Sequence, residues 1–125
     1  MRFAKRVYAL AGIYGLLILA PQLFLEARIG HDHPPAITHL EYFYGFLAVC
    51  LPWQLLFLAI AKDPGRYRPV MPFTLLEKAG GVAAFLGLWA LGRIPASVGV
   101  FGFVDGALGI LFWMAWRRTA TASAD

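Results

Sequence analysis

Three acidic residues of this 125-residue sequence lie within or beside long apolar runs, where they could bind a proton or a ligand. Asp105 lies near the middle of its run, which places it roughly 12–15 Å deep, close to the midplane of a bilayer. Glu41 and Glu77 lie near the starts of two other runs. Because ionisable groups are costly inside a membrane, each is a candidate functional group. The alternative for Asp105 is a neutral, hydrogen-bonded carboxyl that holds helices together.

Both glutamates also fit a structural role at the start of a helix. Thr38 precedes Glu41 by three residues, and Thr74 precedes Glu77 by three, which is the T-x-x-E spacing of a capping box. In that box the threonine accepts from a backbone amide and the glutamate reaches back to another amide, near the positive end of the helix dipole. The spacing favours capping for both glutamates, and it leaves Asp105 as the deep acid without a capping role.

Gln54 is a further polar residue inside an apolar run, two residues after Pro52. A proline inside a helix frees a backbone carbonyl, which Gln54 or a neighbouring helix could satisfy. Alternatively, the amide bonds across to another helix. The side chains that could meet Asp105 in a bundle are those of Gln54, Tyr14, Tyr44 and Arg93.

His31 and His33 form an H-x-H pair, and His39 follows shortly after. Imidazoles at this spacing could hold Zn²⁺ or Cu²⁺, and the alternative is a solvated loop. The sequence contains one cysteine, Cys50, and lacks a nucleophile–base arrangement and a phosphate-binding loop. An enzyme is therefore not favoured, and no cofactor is predicted.

Lys62, Arg66 and Arg68 flank the turn sequence Asp63-Pro64-Gly65. One interpretation is that these cations only determine membrane topology. The other is that they bind anionic lipid head groups or the acid of a partner protein.

The elements that must position these residues are four apolar runs, at about 7–25, 42–61, 73–91 and 98–116. Each run is long enough to cross a hydrocarbon core of about 30 Å as a helix. The chain is 60% hydrophobic and 14% charged, with a mean hydropathy of +0.66. A soluble domain of this size could not bury so much apolar surface. We therefore predict a single domain, an all-α membrane protein that folds as an up-down-up-down bundle of four transmembrane helices.

Helix packing and orientation follow from smaller features. Ala79, Ala83 and Gly87 give the third helix one face of small residues, which predicts that this helix lies at the centre of the packing. Lys78 is expected to extend to the membrane interface. With both termini cytoplasmic, the cytoplasmic side carries Arg2, Lys5, Arg6, Lys62, Arg66, Arg68, Lys78, Arg117 and Arg118, and the other side carries Arg28 and Arg93. This asymmetry agrees with the positive-inside rule.

The run EYFYGFLAVCLPWQLLFLAIAKDPGRYRPVMPFTLLEK, followed by FVDGALGILFW, carries a family resemblance. It resembles a group of small uncharacterised bacterial four-span membrane proteins with the pattern E-Y…W-Q…D-P-x-R-Y-R-P…E-K…D. More loosely, the chain is similar to the DoxX-like and BphX-like four-helix membrane proteins. The resemblance implies a multi-pass protein of a bacterial inner (plasma) membrane and brings no settled activity.

Three functions remain open at this point. The favoured one is a non-enzymatic module that binds a lipid-like ligand or partner helices. The alternatives are a proton-coupled small-molecule carrier that uses Asp105, and an outer-face metal-handling protein that uses His31, His33 and His39. The expected partners are membrane lipids, together with further copies of the chain or another membrane protein. The net charge of +4 lies in short clusters between apolar runs, so nucleic acid is not an expected partner.

Overall fold

The computed structural model describes residues 1–120, and this part of the chain is helical without any strand. The α-helices are α1 (Arg2–Leu19), α2 (Glu26–Asp32), α3 (Leu40–Lys62), α4 (Pro64–Tyr67), α5 (Met71–Ala90), α6 (Ala96–Gly99) and α7 (Phe101–Arg118). Two 3₁₀ segments, Ala20–Phe24 and Arg68–Val70, extend α1 and join α4 to α5.

Four helical stretches are long and apolar enough to cross a membrane, which confirms the prediction of an all-α protein with four such helices. They are Arg2–Phe24, Leu40–Lys62, Pro64–Ala90 and Ala96–Arg118. Most extend a few residues beyond the predicted apolar runs, because backbone hydrogen bonding continues into polar flanks that hydropathy does not detect. The third begins much earlier, at Pro64 rather than near residue 73.

The early start of the third stretch results from where its prolines lie. Pro64, Pro69 and Pro72 each occupy the first turn of a helical segment, where a missing amide hydrogen leaves no helical bond unmade. Asp63 caps the first of these segments, because its Oδ1 accepts from the backbone amide of Arg66 at 3.2 Å. From the sequence, Pro69 and Pro72 are expected to keep the chain extended until Thr74. That expectation is wrong, because both prolines lie in helical segments.

The segment between α1 and α3 is also more ordered than a loop. Residues Glu26–Asp32 form α2, and Arg28 lies 3.4 Å from Asp32 one helical turn later. Pairs at this spacing support a short helix. The polar composition of Glu26–Ile37, with Gly30, Pro34 and Pro35, predicts a loop throughout. That prediction is wrong for the residues of α2.

Neither predicted capping box forms. The N-cap position of α3 is occupied by His39, and no side chain accepts a hydrogen bond from the first backbone amides of this helix. Thr74 lies inside α5, where its hydroxyl donates to the carbonyl of Met71 at 2.6 Å. Since α5 starts before Thr74, the residue three positions later, Glu77, is free of a capping role and lies in the helix interior.

The centre of the packing is formed by α1 and α7, which contact each other, while α3 packs mainly on α1 and α5 packs mainly on α7. The prediction that the third spanning helix is central is therefore wrong, and its small residues Ala79 and Ala83 are exposed. Close packing of α5 on α7 instead uses Gly81 of α5 and Gly102 of α7. A Cβ at Gly102 would lie 2.6 Å from Cγ of Leu86, so any larger residue would force Leu86 to move.

A cluster of aromatic rings joins three of the long helices. Tyr8 of α1 is fully buried and stacks on Phe112 of α7 at a centroid distance of 4.3 Å, with Phe57 of α3 at 6.0 Å. The Tyr8 hydroxyl bonds to Oγ1 of Thr74 on α5 at 2.8 Å. Because the Thr74 hydroxyl already donates to Met71, Tyr8 is the donor, and the bond ties α5 to α1.

Candidate functional site

The structure brings together three charged side chains, which we call the charged triad: Glu77 and Lys78 of α5 and Asp105 of α7. Lys78 Nζ donates to Asp105 Oδ1 at 3.2 Å and lies 3.4 Å from Glu77 Oε2. One ammonium thus serves two carboxylates on two different helices. The triad contains two of the acids that the sequence marks as candidates, Glu77 and Asp105. Its cation, Lys78, is expected from the sequence to extend to the membrane interface instead.

Glycines allow α5 and α7 to approach at this level. Gly81 lies against Oδ2 of Asp105, where a side chain would overlap the carboxylate. A Cβ at Gly109 would be 3.4 Å from Cβ of Lys78, which is ordinary contact. The carboxylate of Asp105 therefore reaches the α5 backbone because residue 81 has no side chain.

Lys78 is buried rather than extended to the interface, which contradicts the expectation for this residue. It is 6% exposed, and its Nζ lies 5.3 Å from the centroid of the Phe57 ring, a cation–π distance. The physical reason is the early start of the third helical stretch, which carries Lys78 about 20 Å along the helix from Pro64.

The electrostatics of the triad are unbalanced. With all three groups ionised, two negative charges share one positive charge, and burial of a net charge is costly. Glu77 Oε2 is buried and makes no hydrogen bond within residues 1–120, although it faces the ammonium. The triad can therefore offer a polar ligand an acceptor oxygen, or it can take up a proton.

The partner of Asp105 is Lys78, in place of the four side chains expected from the sequence. Gln54 is 3% exposed, but its amide donates to the backbone carbonyl of Cys50 at 3.0 Å and packs against Gly15. Tyr44 donates to Glu26 at 2.8 Å. Arg93 is exposed in the turn between α5 and α6.

Glu41 is not brought to the triad. It is exposed in the first turn of α3, sixteen positions and about 24 Å along the helix from Phe57, the α3 residue that Lys78 approaches. Gln54 contacts α1 through Gly15, so its role in this structure is to pack α3 on α1.

The histidines are also separate from the triad. Within residues 1–120 no three His, Cys, Asp or Glu side chains converge as a metal site would require. His31 Nδ1 bonds to Asp32 Oδ1 at 3.2 Å, and His39 stands edge-on to Tyr42 with centroids 5.5 Å apart. The hydrogen bond from His31, then that from Arg28, lowers the pKa of the exposed Asp32 carboxyl.

The three cations that flank Asp63-Pro64-Gly65 lie in two different environments. Arg68 donates through Nε to the backbone carbonyl of Thr119 at 2.7 Å and lies over the ring of Trp116 at 5.4 Å. It therefore links the segment before α5 to the end of α7. Lys62 and Arg66 are exposed and border a cavity of about 560 Å³, which we call the turn groove. Its lining residues are Leu55, Leu58, Ala59, Lys62, Asp63, Arg66 and Tyr67.

A second cavity extends from Lys78 and Asp105 of the triad to exposed residues on the outer surface of the bundle. This α5–α7 groove has a volume of about 450 Å³. Its charged lining comes from Lys78 and Asp105. Apolar surface comes from Leu75, Ala79, Val82, Ala83, Gly106 and Ile110. Small residues on both helices leave this space open, so the small-residue face of α5 borders a cavity instead of the bundle centre.

Two contacts between the helices are not evident from the sequence. Lys78 falls near the interface only if its helix starts near residue 73, and the run of prolines, each suited to a helix start, is the signal that indicates the earlier start at Pro64. The bond from Tyr8 to Thr74 joins residues 66 positions apart and has no local signal.

The four long apolar helices indicate a multi-pass membrane protein whose bundle holds a charged triad of one buried and two partly buried side chains. No protein-family model, no curated protein and no solved structure matches the chain.

Proposed function

We propose that this protein is a non-enzymatic membrane module that binds a lipid-like small molecule in the α5–α7 groove. The observation that carries the proposal is that an apolar groove of about 450 Å³ ends at the Lys78–Asp105 pair. That volume lies within the range of about 300–1,000 Å³ typical of small-molecule sites. An apolar body would lie along Ala79, Ala83 and Gly106, and one polar group would meet the ion pair.

The charges of the site favour a neutral polar group on the ligand over an anionic one. Lys78 already serves two carboxylates, so a further anion would add repulsion, whereas a hydroxyl or carbonyl could exchange hydrogen bonds with the pair. Polar contacts gain strength where water is excluded. The alternative occupant of the groove, a partner helix or a second copy, is an outcome of the experiment below.

The test uses two adjacent alanines of α5. Ala83 lines the groove, whereas Ala84 is exposed and is not among its lining residues. In native mass spectrometry of the detergent-extracted protein, the wild type and Ala84→Leu should retain a hydrophobic small molecule, and Ala83→Leu should lose it because leucine fills the space. A wild-type protein without bound ligand, or equal retention by both variants, contradicts the proposal. Ala83→Leu that instead loses a protein partner assigns the groove to helix association.

A second candidate function, a proton-coupled carrier, is favoured by the unbalanced charge of the triad. A bound proton would neutralise the excess negative charge of Glu77 and Asp105, and a cationic or proton-exchanging substrate could replace it. Such a carrier should release a proton when substrate binds, and Asp105→Asn should abolish that release. Ligand binding that is independent of pH supports the binding module instead.

We further propose an up-down-up-down arrangement in a bacterial inner membrane with both termini cytoplasmic. The support comes from the family resemblance and from the cations. With Lys78 buried, the cytoplasmic side keeps eight of the eleven lysines and arginines: Arg2, Lys5, Arg6, Lys62, Arg66, Arg68, Arg117 and Arg118. Reporter fusions at Pro35 and Arg118 test the orientation. Cytoplasmic activity at Pro35, or periplasmic activity at Arg118, contradicts it.

A further inference from the structure

We propose that the turn groove binds an anionic phospholipid, with the phosphate between Lys62 and Arg66 and an acyl chain along Leu55 and Leu58. This site lies on α3 and α4 and shares no lining residue with the α5–α7 groove. It therefore does not rest on the function proposed for that groove.

The apolar part of the turn groove matches an acyl chain rather than a soluble phosphate. Leu55, Leu58 and Ala59 belong to α3, and Leu55 is 58% exposed on the outer surface of the bundle. Lys62 is the last residue of α3 and follows Leu58 by one helical turn. A ligand that occupies the whole groove must combine a long apolar portion with an anionic head at the end of the spanning helix, which is where lipid phosphates lie.

The cationic part of the groove is available for such a head group. Among residues 1–120, neither Lys62 nor Arg66 forms a salt bridge. The Arg66 guanidinium lies 5.7 Å from the centroid of the Tyr67 ring. Stacking on a ring leaves the N–H groups at the guanidinium edge free, and these can bind phosphate oxygens in pairs.

One acid, Asp63, also lines the groove and weakens its attraction for anions. Its Oδ1 accepts from the backbone amide of Arg66 at 3.2 Å, so the carboxylate is held at the start of α4. The two cations exceed this single acid, and the groove keeps a net positive charge. An asparagine at position 63 could still accept from the amide while removing the negative charge, which gives the proposal a test of opposite sign.

The experiment measures binding of phosphatidylglycerol and phosphatidylcholine with identical acyl chains to the detergent-purified full-length chain, by native mass spectrometry. The wild type should prefer phosphatidylglycerol. The double variant Lys62→Gln/Arg66→Gln should lose roughly tenfold or more of that preference, since each cation near an anionic lipid contributes about fivefold, or about 1 kcal/mol. Asp63→Asn should raise it about fivefold for the same reason.

A matched control separates a site from general positive charge. Lys5 and Arg117 are exposed cations of α1 and α7 that do not line the groove, so Lys5→Gln/Arg117→Gln should keep the wild-type preference. Equal loss in both double variants, or an unchanged preference in Lys62→Gln/Arg66→Gln, overturns the proposal. Displacement of the lipid by inorganic phosphate at equal concentration overturns it too, because the ligand would then be a soluble phosphate.

Discussion

Lys78→Met is expected to destabilise the protein far more than Asp105→Asn, because one buried ammonium neutralises two partly buried carboxylates. Its Nζ lies 3.2 Å from Asp105 and 3.4 Å from Glu77. At an effective dielectric constant of about 20, each attraction amounts to about 5 kcal/mol before the cost of desolvating the charges. Removing one member of a buried pair typically costs about 3–5 kcal/mol, since the other charge stays buried without a partner. We expect a loss of that size for Lys78→Met.

Asp105→Asn leaves a balanced site, because Glu77 remains as the counter-ion of Lys78 and the new amide can still accept a hydrogen bond. The expected loss is about 0.5–2 kcal/mol, the range measured for interhelical hydrogen bonds in membranes. The triple variant Lys78→Met/Glu77→Gln/Asp105→Asn removes every charge and should recover most of the stability lost by Lys78→Met alone.

The assay is reversible unfolding in mixed micelles, with the free energy of unfolding compared across wild type, Lys78→Met, Asp105→Asn and the triple variant. A Lys78→Met protein as stable as Asp105→Asn would refute the reasoning, because the lysine could not then be the shared counter-ion. Failure of the triple variant to recover stability would also count against it. In that case the loss would come from the packing of the Lys78 stem rather than from unpaired charge.

Two further predictions concern how the helices pack. Thr74→Val should cost about 1–3 kcal/mol because it leaves the buried Tyr8 hydroxyl without an acceptor, whereas Tyr8→Phe should cost about 0.5–1.5 kcal/mol because Thr74 still donates to Met71. Thermal melts of both variants check the order, and a larger effect for Tyr8→Phe would contradict it. Gly102→Ala should destabilise, since its Cβ would meet Leu86 at 2.6 Å, whereas Gly80→Ala has open space and should be stabilising by up to about 1 kcal/mol. Thermal melts of Gly102→Ala and Gly80→Ala test this contrast. Equal effects would show that the stability of the protein does not depend on the close approach of α7 to α5 at Gly102.

The sequence was sufficient for the four spanning helices. An apolar run of about 20 residues must form a helix in a membrane because every backbone polar group has to be satisfied within the segment. That requirement is local, and it holds whatever the neighbouring helices do. The sequence predicts the ends of the helices less accurately, because capping and proline placement rather than hydropathy determine where a helix starts. The T-x-x-E at Thr74 resembles a capping box, yet α5 begins before it at Met71.

The candidate acids Glu77 and Asp105 were also visible in the sequence, because a carboxylate within or beside an apolar run stands out on its own. Their common partner was not. Lys78 and Asp105 are 27 positions apart, and their contact depends on how deep each helix places its residue and on the close approach that Gly81 permits. Depth and approach are properties of two helices together.

The tertiary structure likewise decided which cations remain available. Lys62, Arg66 and Arg68 are close together in the sequence, but Arg68 reaches the carbonyl of Thr119 while the other two border the turn groove.

The tertiary structure also decided which helices are central. The small residues of α5 predict tight packing, but α7 covers a different face of that helix and leaves Ala79 and Ala83 beside a cavity. Hydropathy specifies that a helix is buried in the membrane, whereas the shape of the neighbouring helices specifies which of its faces meets protein and which faces lipid.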